Sequence, residues 1–111
     1  MTRALPDREA LATRIALVTG AASGIGKAIA TRLAAEGACV VSADLDAEKA
    51  RAAAEEIGST DVAIGVAADV TDEAAVQSAI DATVLAFGGI DLVVNNAGLS
   101  GHGKFVQAPW Q

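Results

Sequence analysis

The sequence predicts an α/β fold, a doubly wound parallel sheet in strand order 3-2-1-4. Three observations predict it. Short apolar runs ending in glycine or an acidic residue alternate with segments of helical periodicity, the pattern of parallel strands joined by right-handed crossovers. Of the 111 residues, 52% are hydrophobic but only 3% aromatic, which suits small-faced helices packed closely on a sheet. The length allows one domain with one core.

The first strand is Arg14-Ile-Ala-Leu-Val-Thr-Gly20, an apolar run too short for a helix. From Ile25, the apolar positions Ile25, Ile29 and Leu33 recur every fourth residue, Ala28 fills the same face, and Gly37 supplies a left-handed stop. Ala38 to Ala43 forms the second strand and breaks at Asp44 and Asp46. Ala50, Ala53, Ala54 and Ile57 then return to helical spacing, with Asp46 as cap and Gly58 as stop. Val62 to Ala68 is the third strand, followed by Asp69 and Val70. Thr71 or Asp72 can cap a helix striped by Val76, Ile80, Val84 and Phe87 and stopped at Gly88-Gly89. Asp91 to Asn95 is the fourth strand. The domain therefore spans 14–98, between a polar lead-in at 1–13 and an irregular, glycine-rich tail at 99–111.

Eight Lys and Arg against 14 Asp and Glu give a formal charge of -6, which repels phosphate backbones and argues against a nucleic-acid partner. No apolar run approaches the ~18 residues of a membrane span, and Met1 to Arg14 alternates charged and apolar residues, unlike a signal peptide. A cytoplasmic setting without membrane contact is expected. Cys39 is the single cysteine, so neither an internal disulfide nor a cysteine metal cluster can form; it reads as a small core residue. No metal ligands are expected.

The run Thr19-Gly-Ala-Ala-Ser-Gly-Ile-Gly26 lies where the first strand meets the first helix. A dinucleotide pyrophosphate needs bare backbone N–H groups and the positive helix end at that junction. Gly20 permits the turn, Gly24 lets the backbone approach phosphate, Gly26 lets the helix pack on the strand, and Ser23 adds a hydroxyl. A P-loop is excluded, because Ala21 stands where its first glycine belongs and Ala28 where its Ser or Thr belongs. Lys27 then reads as a solvated surface residue. Asp44 ends the second strand 18 residues after Gly26, where a carboxylate accepts both hydroxyls of an adenosine ribose and repels a 2'-phosphate. With no Arg or Lys in the loop or directly after Asp44, NAD is expected over NADP.

Together with Asp69-Val70 and Asn95-Asn-Ala-Gly98, these motifs make residues 14–98 resemble the short-chain dehydrogenase/reductase family. The resemblance implies a Rossmann-like fold and an oxidoreductase that moves hydride between nicotinamide and an alcohol or carbonyl carbon. It implies that Asp69 and Val70 line the adenine pocket, that Asn95 braces the sheet, and that Ala97 and Gly98 border the cofactor. The cofactor contacts expected are Thr19, Gly20, Ser23, Gly24, Ile25, Gly26, Asp44, Leu45, Asp69, Val70, Asn96, Ala97 and Gly98. Ile15 to Gly98 is also similar to the dehydrogenase part of bacterial proteins that fuse a sugar-phosphate aldolase to such a dehydrogenase.

The family's catalytic serine and Tyr-x-x-x-Lys pair cannot be placed, because the chain contains no tyrosine. Without that hydroxyl, hydride transfer lacks its proton donor and acceptor. No catalytic residue is therefore assigned, Ser100 and His102 included, and this chain alone is expected to be an inactive, truncated cofactor-binding portion. The family's fifth strand would pair with the fourth and its next helices would cover the face carrying the third helix, so a bare edge and apolar face are expected. That edge predicts marginal solubility and offers a surface for a homo-oligomer or a partner chain. The alternative function is thus a non-catalytic nucleotide-binding or interaction module completed by a partner. A methyltransferase on a similar sheet ranks last, since it gives no reason for Asn95 to Gly98.

Overall fold

The computed structural model describes residues 11–96. Within them run β1 (Ile15–Thr19), α1 (Gly24–Ala35), β2 (Cys39–Asp44), α2 (Ala47–Ile57), β3 (Ala63–Ala67), α3 (Glu73–Phe87) and β4 (Leu92–Asn95). All pairings are parallel and the order is β3-β2-β1-β4, as the alternation of apolar runs and helical segments predicts. Each chain reversal therefore passes through a helix, and every βα turn lies at the carboxyl edge of the sheet.

Alternation along the strands divides the core in two. Val18 and Val40, both fully buried, face α1 and α2, and Ala30, Leu33 and Ile57 pack on them. Leu17 and Val41 point the other way, onto Ala79, Ile80 and Phe87 of α3. Burying these apolar surfaces from both sides of β1 and β2 is what fixes the parallel sheet.

Local signals end the helices. Asp46 accepts from the N–H groups of Glu48 and Lys49 at the start of α2, and Asp72 accepts from Ala74 N–H at the start of α3. Gly88 closes α3 in the left-handed region at φ +98°. The α2 face of Ala50, Ala53 and Ala54 is buried as its spacing predicts. It lies so close to β3 that a Cβ on Gly65 would strike the Ala50 backbone.

On α1 the expected face is rotated. Ile25 is 67% exposed and Ala28 is exposed, while Gly26 and Ala30 are buried. Small residues let the helix backbone approach the sheet at its start, so Ile25 is turned outward, while Leu33 of the expected face still packs on the core. Cys39, read as a core residue, is only half-buried, with its Sγ 3.6 Å from the Asp61 carbonyl. Lys27 is not merely solvated: its Nζ lies 2.7 Å from Glu56 Oε1, joining α1 to α2. On α3, Val84 departs from the predicted stripe and is 46% exposed, while Ala79 and Thr83 are buried.

At the opposite, amino-terminal edge, Asp91 accepts from Ile15 N–H at 2.9 Å and pairs with Arg14 at 3.9 Å, anchoring the start of β1 beside β4. The expected bare edge is present among the described residues, where Leu92 and Val93 on β4 and Leu85 on α3 are exposed. No helix among the described residues is long and apolar enough to cross a membrane.

Candidate functional site

The carboxyl edge of the sheet collects those residues singled out by sequence that lie among the described ones. β1 ends at Thr19, and the chain turns through Gly20 at φ +64° and Gly24 at φ +60°. Both angles lie in the left-handed region, where a side chain costs free energy and glycine does not. A Cβ on Gly24 would meet nothing within 4 Å, so its open side faces space a ligand can take. Gly26 differs. A Cβ there would strike the Gly20 carbonyl and come within 2.5 Å of Asn96 Nδ2.

The amino terminus of α1 is electrostatically distinct from those of the other two helices. Ser23 holds the N-cap position, but its side chain makes no capping bond, and the first turn carries no acidic residue. By contrast, α2 and α3 have aspartate caps and a glutamate in the first turn. The helix dipole and the N–H groups of the first turn at α1 are thus left to act on an anion at the Gly24 opening.

The loop between β1 and α1 is held from both sides. Asn96, 5% exposed, donates from Nδ2 to the Gly20 carbonyl at 3.2 Å, and its N–H donates to Thr19 Oγ1 at 3.0 Å. From the β2 side, Ala21 N–H reaches the Ala43 carbonyl at 3.1 Å and Ala22 N–H reaches Asp44 Oδ2 at 3.2 Å. These backbone ties are not legible in residue types, since any residue could donate them. The bracing role expected of Asn95 is shared between Asn95 and Asn96. Asn95 is exposed and accepts from Thr19 Oγ1 at 3.1 Å.

Asp44 stands at the end of β2 with its carboxylate beside the loop. Ala68 N–H donates to the Asp44 carbonyl at 2.8 Å, which brings the β3 end, and with it Asp69 and Val70, alongside. Asp69 Oδ1 accepts from Thr71 Oγ1 at 2.6 Å and from Thr71 N–H at 2.9 Å. These two bonds, the hydroxyl first, hold its carboxyl below the ordinary value of 3.8. Ile25, Leu45 and Val70 are 67%, 72% and 37% exposed, so the turns at this edge offer apolar side chains between polar groups. Ala97 and Gly98, together with Ser100 and His102, lie outside the described residues.

Comparison with known proteins places this arrangement. The sequence matches the short chain dehydrogenase family over residues 14–110. It is 51% identical over 88 residues to D-threitol dehydrogenase from Mycolicibacterium smegmatis, covering 78% of this chain and 34% of the relative. It is 47% identical over 98 residues to 2-(R)-hydroxypropyl-CoM dehydrogenase from Xanthobacter autotrophicus, covering 83% of this chain and 38% of the relative. The chain therefore spans well under half the length of these relatives. The fold superimposes with a TM-score of 0.72 on 3-ketoacyl-(acyl-carrier-protein) reductase from Brucella melitensis, solved in complex with NADH. That match has 44% identity and covers 76% of this chain and 34% of the other.

Proposed function

This chain belongs to the short-chain dehydrogenase family, and from that premise we propose that residues 14–98 are the nicotinamide dinucleotide-binding portion of an oxidoreductase acting on an alcohol or carbonyl carbon. When bound, the nicotinamide would supply hydride acceptance or donation. The residues of this chain bind and orient it. The N–H groups at the start of α1 and the open side of Gly24 receive the diphosphate. Asp44 accepts the adenosine ribose hydroxyls, Asp69 and Val70 border the adenine, and Ile25 and Leu45 give apolar contact. Thr19 and Asn96 hold the loop from below, with Ala97 and Gly98 assigned to the nicotinamide side. No tyrosine is present in the 111 residues, so the proton-handling hydroxyl of the reaction is assigned to none of them.

NAD is preferred to NADP on this reading. A carboxylate at Asp44 repels a 2'-phosphate, and the nearest loop residues, Ala21, Ala22, Ser23 and Leu45, carry no positive charge to offset it. A cytoplasmic setting fits a chain with a single cysteine.

One observation carries the proposal: an uncapped helix terminus, an open Gly24 and the Asp44 carboxylate share the carboxyl edge between β1 and β2. Thermal unfolding with and without NADH tests it. A ligand at 100 times its Kd stabilises the folded state by about 2.7 kcal/mol. A clear rise in Tm is expected, and an unchanged Tm at millimolar NADH would count against the proposal.

The exposed Leu92 and Val93 favour a second reading, a nucleotide-binding module completed by a partner chain or a second copy along β4. It retains the same cofactor edge. The two readings part on whether a partner chain or a second copy is found supplying the missing strand beside β4.

A further inference from the structure

Three consecutive residues of the glycine loop are tied to the strand ends on either side of them. Gly20 is held by the Asn96 side chain, Ala21 by the Ala43 carbonyl, and Ala22 by Asp44 Oδ2 at 3.2 Å. The last tie runs through a side chain, and that side chain is the one assigned above to ribose. We infer that Asp44 is also a positioning residue for the loop, one whose carboxylate fixes Ala22 and thereby the mouth of α1 in the shape that receives a diphosphate. This inference rests on the cofactor reading of the site.

The geometry lets one carboxylate do both. A carboxylate offers about four acceptor directions, and here one is taken by Ala22 while Oδ1 lies 3.4 Å from Asp46 N–H. Further directions are left for hydroxyls. Asp44 is itself secured, because its carbonyl accepts from Ala68 N–H in the continuation of the β2–β3 ladder. Ala22 is followed directly by the N-cap Ser23 and by Gly24 at φ +60°. Freeing Ala22 therefore frees the residues that lead into the first turn of α1. Removing the Asp44 carboxylate has two separable consequences: loss of discrimination at the ribose and loss of order in the loop. The second predicts weaker binding of a ligand that has no ribose at all.

Inorganic pyrophosphate is the probe, with Asp44→Ala compared against Asp44→Asn. Asparagine removes the same negative charge but keeps an oxygen that accepts from Ala22 N–H. NMR titration with pyrophosphate gives affinity, and amide exchange of Ala22 in the free protein gives loop order. Asp44→Asn is expected to bind pyrophosphate at least as tightly as the unaltered chain, because a repelling charge is gone, and to keep Ala22 protected. Asp44→Ala is expected to bind about tenfold more weakly than Asp44→Asn and to exchange Ala22 about tenfold faster, the size of one bond to a polar or charged acceptor. Equal behaviour of the two variants in both measurements would overturn the positioning role. Absence of saturable NADH binding by the unaltered chain would overturn the cofactor reading instead, and the Ala22 exchange comparison would still decide the loop contact.

Discussion

The side-chain amide of Asn96 donates to the Gly20 carbonyl across 3.2 Å, joining the residue after β4 to the first residue of the glycine loop. Asn96 is 5% exposed and the bond is part-buried, so solvent replaces it only in part when it is lost. Asn96→Ala is expected to destabilise the fold by about 0.5–1.5 kcal/mol, the net contribution of one hydrogen bond. Urea unfolding of the variant checks this; an unchanged midpoint would mean that Gly20 is held by other contacts.

Gly24 and Gly26 lie two residues apart and are expected to fail differently. Gly26→Ala places a methyl against the Gly20 carbonyl and Asn96, so it should cost about 1–3 kcal/mol or more in overpacking. Gly24→Ala meets no atoms within 4 Å and should cost only about 1–2 kcal/mol for the left-handed backbone. Its main effect should be on NADH binding, because the methyl enters the opening. Chemical denaturation and an NADH titration of both variants separate the two effects. A Gly24→Ala protein that binds NADH as tightly as the parent would remove Gly24 from the site.

Gly65→Val should unfold more easily for a reason remote from the site. The added side chain meets the Ala50 backbone where α2 lies on β3, and overpacking of this kind typically costs about 1–3 kcal/mol. Urea midpoints should fall. NADH affinity of the fraction that remains folded should not.

Asp69 titrates below its ordinary value because Thr71 donates to it from both hydroxyl and N–H. A depressed carboxyl contributes stability that is present above the unfolded value and is lost as pH falls through the folded value. The contribution of Asp69 therefore disappears in the acid range below 3.8. Thr71→Val removes the hydroxyl bond, keeps the N–H bond, and should move the Asp69 carboxyl upward. A carboxyl-detected NMR titration reads the shift, and an unmoved Asp69 would show that the hydroxyl does not hold it.

Val93 is 53% exposed on the edge strand β4, and an apolar edge invites pairing with another chain. Val93→Lys should lower self-association in light scattering at matched concentration while leaving far-ultraviolet circular dichroism unchanged. Undiminished association would place the contact elsewhere.

Much of the fold was legible because backbone-scale signals carry it. The apolar runs, the glycine stops and the aspartates at positions 46 and 72 are local features, and each acts where its spacing puts it. The α1 face was not legible in the same way. Periodicity follows large apolar residues, whereas Gly26 and Ala30 pack beside Leu33 and Ile25 is turned out. The Lys27–Glu56 pair joins residues on successive helices, and nothing in either residue's neighbourhood announces it. In Asn95-Asn96 the residue types are identical, and only strand direction decides which amide is buried. Ser42 is a further surprise: its Oγ is buried without a hydrogen-bond partner on the face of β2 between Val18 and Gly65. Apolar neighbours along the chain gave no warning of it.

A fluorescence titration of the purified chain with NADH, run beside NADPH on a sample shown to be monodisperse, tests the cofactor site most directly. Saturable binding that is tighter for NADH is the predicted result, from the uncapped α1 terminus and the Asp44 carboxylate acting together. A monodisperse chain that binds neither dinucleotide would contradict it.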